Sequence, residues 1–154
     1  MKNLKSFLLH FASPTKNYWK YYKKFLKGGI LRYYYLYRCL TIERKSHAQV
    51  PHKKGINPFN MPHGLNGIFI SKDAEIGENC TIFHQVTIGS NKIEGSKGYG
   101  APKIGNNVYI GAGAKIIGGI TVGDNVNIGA NCVVFTDIPS NSTVVLNAPR
   151  IIQK

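Results

Sequence analysis

Nine positions, Ile70, Ile76, Ile82, Ile88, Ile104, Ile110, Ile116, Val122 and Ile128, carry a branched aliphatic residue at a period of six that breaks once. An α-helix cannot use such a repeat, because rungs six apart drift around its 3.6-residue turn. A three-sided coil can: each hexapeptide supplies one short strand and one turn, three close a coil, and stacked coils pair as parallel strands over an aliphatic core. Four residues after each rung comes a second inward candidate, small or β-branched: Ala74, Cys80, Val86, Val108, Ala114, Ile120, Val126 and Cys132. Glycine follows the rung at Gly77, Gly89, Gly105, Gly111, Gly123 and Gly129, where a tight turn is expected to need φ freedom. The expected fold class is therefore all-β, a parallel β-helix preceded by a short helical segment.

Charge divides the chain more sharply than length does. Residues 1–54 hold thirteen Lys/Arg against one acid, Glu43, and eleven of the seventeen aromatics; residues 55–154 hold seven basic residues against six acidic ones. The expected organisation is a basic, aromatic helical segment over 1–54 and a β-helix over 55–154. Thr15 is a fair N-cap for a helix ending near Gly28-Gly29, and a second helix is expected from about Ile30 to Lys45. Packing of aromatics on the coil accounts for the rings but needs no such excess of charge, so contact with an anionic membrane surface is a secondary expectation for this segment. No apolar run reaches the roughly 18 residues of a membrane-spanning helix. Met1–Ser13 imitates a signal peptide only weakly, with a short apolar run broken by His10. The three cysteines are an odd number without metal spacing, and Cys80 and Cys132 occupy equivalent inward positions; they read as reduced core residues of a cytoplasmic protein.

Chemistry is expected at the interruption and the histidines. Between Ile88 and Ile104 the repeat gives way to a Gly-, Ser- and Lys-rich insertion, spanning 89–103, which must be looped out and is of a kind that wraps a phosphorylated ligand. His63, just before the first clear rung, is a general-base candidate for an alcohol acceptor, although a lone loop histidine is more often a surface residue. His84 should point out of its coil, as an interface histidine or, with Asn66, as an acceptor-binding group. His47 and His52 show no pattern, and no histidine has the paired spacing of a zinc site, so no metal is expected. Nothing resembles a nucleic-acid reader motif.

The segments Met61-Pro-His-Gly-Leu-Asn-Gly-Ile-Phe-Ile70, Phe83-His-Gln-Val-Thr-Ile-Gly89, Ala101-Pro-Lys-Ile-Gly105, Tyr109-Ile-Gly-Ala-Gly-Ala-Lys-Ile-Ile-Gly118 and Ile128-Gly-Ala-Asn-Cys-Val-Val134 resemble the hexapeptide-repeat acyltransferases with left-handed parallel β-helices, in their serine acetyltransferase-like branch. The resemblance implies homotrimers with active sites between subunits, acetyl-CoA lying along the coil, and transfer of acetyl to a hydroxyl. On it, His63 is the catalytic base. Gly111, Ala112, Gly113 and Ala130 lie where the pantetheine arm approaches the backbone, Ser90 touches the cofactor, and Lys115 or Arg150 meets its phosphates. Two departures matter: Pro62 stands where serine acetyltransferases carry Asp, and Ala101 where they carry a second His. No carboxylate clearly matches the one that orients their base, and the long N-terminal helical domain that pairs their trimers is missing, which favours a lone trimer. The pattern is closest to the surface-polysaccharide O-acetyltransferases of the superfamily, so a sugar hydroxyl at the inner membrane face is the leading expected acceptor. The alternatives are serine O-acetylation in cysteine biosynthesis and a non-catalytic β-helix scaffold.

Overall fold

The computed structural model describes residues 17–147 together with Arg150, Ile152 and Gln153. Met1–Ser13, the expected cap Thr15, and Ala148, Pro149 and Ile151 lie outside the described residues. Two helices, α1 (Tyr18–Lys27) and α2 (Arg32–Lys45), precede eleven strands of two or three residues. The strands are β1 (Phe69–Ile70), β2 (Glu75–Ile76), β3 (Thr81–Ile82), β4 (Thr87–Gly89), β5 (Lys103–Ile104), β6 (Tyr109–Ile110), β7 (Lys115–Ile117), β8 (Thr121–Val122), β9 (Asn127–Ile128), β10 (Val133–Val134) and β11 (Thr143–Val144).

They form three parallel sheets, β1-β4-β7-β10, β2-β5-β8 and β3-β6-β9-β11, which are the first, second and third faces of a coil. Partners on the first face lie eighteen residues apart, Ile70 beside Ile88 and Ile116 beside Val134, or twenty-eight across the insertion, Ile88 beside Ile116. Three hexapeptides thus make each coil. All nine rungs are buried, as are all eight of the second inward residues. The register shortens only at the C-terminal end, where Ile128 pairs with Val144.

The glycines after the rungs have a different reason from the expected one. None of Gly77, Gly89, Gly105, Gly111, Gly123 or Gly129 has positive φ. A Cβ on Gly111 would lie 2.6 Å from the Ala130 nitrogen, and one on Gly105 would lie 2.9 Å from the Gly123 carbonyl carbon. All but Gly89, where a Cβ would meet the Ile117 side chain, are small because the next coil's backbone passes directly over them. The left-handed turns fall elsewhere, at Asn79, Gln85, Asn107, Asn125, Asn131 and Asn141, residues that tolerate positive φ through side-chain bonding or at modest cost. Gly111→Ala should therefore destabilise the coil by about 1–3 kcal/mol, the range for overpacking. Asn107→Gly should be close to neutral; thermal melts of the two variants check the pair.

The coil also starts earlier than its repeats. Gln49 bridges Phe69, Ile56 bridges Ile76 and Asn60 bridges Thr81, adding an irregular turn beneath the first regular coil. Val50, Ile56, Phe59 and Leu65 close the core there. On this turn sits α1, which buries Tyr18, Tyr22 and Phe25 at helical spacing, bounded by Asn17 and by Gly28 at φ 82°. Trp19 Nε1 donates to Phe59 O (2.8 Å), and the Tyr22 hydroxyl lies 2.9 and 2.8 Å from the carbonyls of Pro51 and Lys53. α2 buries only Cys39, Ile42 and Glu43, so Tyr33, Tyr34 and Tyr37 stand in solvent instead of packing on the coil.

Beneath α2 lies a buried polar cluster. Tyr18 donates its hydroxyl to Glu43 Oε1 (2.6 Å), His52 Nε2 stands 3.0 Å from the same oxygen without hydrogen-bond alignment, and Val50 N donates to Glu43 Oε2 (3.4 Å). Burial, then the Glu43 carboxyl, drives the Tyr18 hydroxyl far above its ordinary range and the Cys39 thiol up to about 12. The three cysteines are free and buried.

Candidate active site

The turn from the third face to the first places the candidate residues. Its successive levels are tied by backbone bonds: Gln85 N to Asn66 O (2.8 Å), Gly113 N to His84 O (3.0 Å) and Asn131 N to Ala112 O (2.8 Å). Asn66, His84, Ala112 and Ala130 are therefore stacked along one corner, each coil rising about 4.8 Å over the last. His63 belongs to the lowest level. The turn Met61–Gly67 is closed by Gly64 N to Met61 O and Ile68 N to Leu65 O, and Asn66 Nδ2 donates to His63 O (2.9 Å). Asn66, expected to bind an acceptor, uses its amide to fix the turn that carries His63.

His63 and His84 meet directly. Their Nδ1 atoms are 2.8 Å apart and their rings 4.8 Å centroid to centroid. The Phe83 ring stands edge-on to His63 (5.4 Å, 84°) and contacts Tyr109 in turn (5.2 Å). Among the described residues neither imidazole forms an ion pair with a carboxylate, and His63 Nε2 has no hydrogen-bond partner. A histidine with one ring nitrogen held and the other open is equipped to take a proton from an incoming hydroxyl.

The residues expected to hold the cofactor divide. Gly111 and Gly113 lie on the same corner as His63, but their smallness is accounted for by stacking: a Cβ on Gly113 would strike the Asn131 side chain. Ala112 and Ala130 keep part of their surface open there. The Lys115 ammonium is bound to the carbonyls of Gly113 (2.7 Å) and Gln85 (3.2 Å) at that corner. Ser90 is on the opposite edge of the first face, its hydroxyl accepting from Ser71 Oγ (3.1 Å) beside a hollow of about 370 Å³ that Lys72 and Thr87 also line. Arg150 is exposed.

The insertion is pinned rather than loose. Asn91 and Gly100 exchange backbone hydrogen bonds (2.8 and 2.9 Å), Asn91 Nδ2 donates to Ser96 Oγ, and Gly119 N donates to Gly98 O. Lys92 reaches back to Asp73 (2.6 Å), and the ammonium holds that exposed carboxyl below its usual range.

Comparison with known proteins agrees with the repeat architecture. Residues 101–136 match the bacterial transferase hexapeptide family (six repeats). The serine acetyltransferase of Helicobacter pylori is 39% identical over 95 residues, 61% of this chain and 53% of that protein, and that of Staphylococcus xylosus is 51% identical over 85 residues, 55% and 38%. The chain thus spans about half or less of the length of these curated relatives. Serine acetyltransferase isoform 3 of Entamoeba histolytica, solved with cysteine, superposes with a TM-score of 0.65 at 36% identity over 79% of this chain and 43% of that one. The Brucella abortus serine acetyltransferase solved with coenzyme A gives 0.56 at 33% identity, over 79% and 47%.

The coil is a left-handed parallel β-helix, and its hexapeptide repeats match those of the bacterial transferase hexapeptide family. These matches support the serine acetyltransferase-like branch of the hexapeptide-repeat acyltransferases. The expectation of a surface-polysaccharide acceptor is overturned by the same comparisons, in which the relatives and structural neighbours are serine acetyltransferases. That expectation rests on Pro62 and Ala101 as lost polar groups, and the fold supplies one that the motifs do not reveal, the His84 ring against His63.

Proposed function

We propose that the protein is an acetyl-CoA-dependent O-acetyltransferase whose acceptor is the hydroxyl of serine. The observation that carries this is His63, fixed by its turn and by His84 at the head of the corner that runs over Ala112 and Ala130. In this reading His63 Nε2 takes the proton of the serine hydroxyl as its oxygen attacks the thioester carbonyl. The C–S bond then breaks, and the departing thiolate recovers the proton from His63, so the histidine ends as it began. A backbone N–H of the corner would stabilise the negative oxygen of the tetrahedral intermediate. Ala112 and Ala130 would flank the pantetheine arm, with Arg150 and Ser90 as further donor contacts. Thiol release from acetyl-CoA tests it: release should require L-serine and be absent with L-alanine, which lacks the hydroxyl, and equal rates with the two would overturn the reading.

The working unit in this proposal is a homotrimer with each site between two copies. Support comes from apolar side chains left outside the coil, Phe69 on the first face and Tyr109 on the third. A head-to-tail contact repeated around a three-fold axis would cover them.

For residues 1–54 we infer peripheral contact with anionic lipid. Ile30 is fully exposed, and Tyr33, Tyr37 and Leu40 line one exposed stripe of α2 at 77%, 65% and 48%. Basic residues border them in the segment of net +12. Aromatic and aliphatic side chains among cations suit the headgroup boundary of a negatively charged bilayer. No helix among the described residues is long and apolar enough to cross a membrane. The full chain should co-sediment with phosphatidylserine vesicles at low salt and be released by about 0.5 M salt, where screening is nearly complete. Equal binding to neutral vesicles, or none to either, would contradict this.

A further inference from the structure

We propose that His84 is the positioning residue for His63, supplying through a neutral imidazole what an orienting carboxylate would supply; the role rests on the reading of His63 as base. The evidence is the Nδ1 to Nδ1 distance of 2.8 Å. Two ring nitrogens can be that close only when one carries hydrogen and the other offers its lone pair. The pair therefore holds one proton between them. If His63 is the donor, its Nε2 carries the open lone pair, which is the form a general base needs.

Three features hold this arrangement in place. The His84 carbonyl accepts from Gly113 N, fixing its backbone to the next coil. The Asn66 amide fixes the His63 carbonyl, and the Phe83 edge fixes the plane of the His63 ring. The charged group known at this corner is Lys115, whose ammonium is bound to the Gln85 and Gly113 carbonyls, and among the described residues no carboxylate is paired with either ring. His84 is thus the one side chain hydrogen-bonded to the His63 imidazole among the described residues.

The proton balance follows. In the resting pair His63 Nδ1–H donates to His84 Nδ1. When His63 Nε2 takes the acceptor's proton, the ring becomes an imidazolium, and its Nδ1–H bond to the neutral His84 becomes charge-assisted and stronger. The stabilisation appears as the charge develops and vanishes when the proton leaves with the thiol, so it acts on the chemical step and not on ground-state binding. Only a further proton, on His84 Nδ1, would set two N–H groups against each other across 2.8 Å and open the contact.

The test compares wild type with His84→Leu and His84→Gln in the full chain. His84→Leu should lower kcat about ten- to a hundredfold, the usual cost of losing a group that orients a ligand or base, with the KM for serine and acetyl-CoA little changed. His84→Gln, whose amide oxygen can accept from Nδ1–H, should recover part of kcat. Long-range ¹H–¹⁵N spectra of the imidazoles give a readout independent of turnover: His63 should hold its proton on Nδ1 in wild type and His84→Gln, and move it to Nε2 in His84→Leu. An unchanged His63 tautomer in His84→Leu, or a loss confined to the KM for serine, overturns the positioning role. Absence of serine-dependent turnover in wild type, with the tautomer coupling intact, would instead overturn the proposed function and leave the pair standing.

Discussion

Replacing His63 by alanine should lower kcat for serine acetylation by about 10²–10⁴, the contribution of a well-placed general base, while acetyl-CoA still binds with wild-type affinity. The split follows from where the residue sits. His63 heads the third-to-first corner, and no element of the coil leans on its ring: the contacts are His84 and the edge of Phe83, both at the surface of the turn. The core beneath it, from Leu65 and Ile68 upward, does not use the imidazole, so the variant should melt with wild type. Single-turnover kinetics beside an acetyl-CoA titration would check both halves. Loss of donor binding in His63→Ala would make this histidine a cofactor contact, and an unchanged kcat would remove it from the chemistry.

Replacing Glu43 by alanine is the expected largest stability effect, about 3–5 kcal/mol, the cost of removing one partner from a buried polar pair. Glu43 is 5% exposed and is the hub between the helices and the irregular first turn. Without it the Tyr18 hydroxyl and His52 Nε2 lose the oxygen they face, in a pocket closed by Tyr22 and Phe25 against the His52 ring. Glu43→Gln keeps an acceptor for Tyr18 and should cost less than half as much. Hydrogen exchange should localise the loss to α1, α2 and residues 48–60, while amides of the regular coils stay protected. A uniform loss across all strands would mean the helical pair and the coil unfold as one unit. A change within a few tenths of a kcal/mol would show that water already reaches the cluster.

How much of this was legible in the chain depends on whether the information is periodic. The β-helix is: each rung repeats one environment, so the six-residue period located nine buried rungs and the second inward row with them. The glycines repeat as well, but the pattern carries position without cause, and turn freedom was the wrong cause because the steric demand comes from a backbone one coil away, as at Gly111 beneath Ala130. The turn beneath the first coil was not legible. Gln49, Ile56 and Asn60 bridge upward without any hexapeptide signature, since an end coil has a neighbour on one side only.

The candidate site shows the same division. The motif reading singled out His63 and His84 separately, but their contact spans 21 residues and not the 18 of a regular coil, because the Met61–Gly67 turn carries extra residues. No spacing rule connects them. Glu43 offered one unused signal, being the single acid among thirteen basic residues in 1–54, which marks a carboxyl group kept for a specific partner. His52, its neighbour in space, had none. Pro62 and Ala101 point away from serine only as long as they count as missing groups, and the group standing against His63 comes from the next coil.

The central claim is acetyl transfer to serine, and it is tested most directly by identifying the product by mass spectrometry after the full chain is incubated with acetyl-CoA and L-serine. The account predicts O-acetylserine in amounts equal to the free coenzyme A released, and none with His63→Ala. Binding of acetyl-CoA with no acetylated serine, under conditions where the protein is folded, would contradict it.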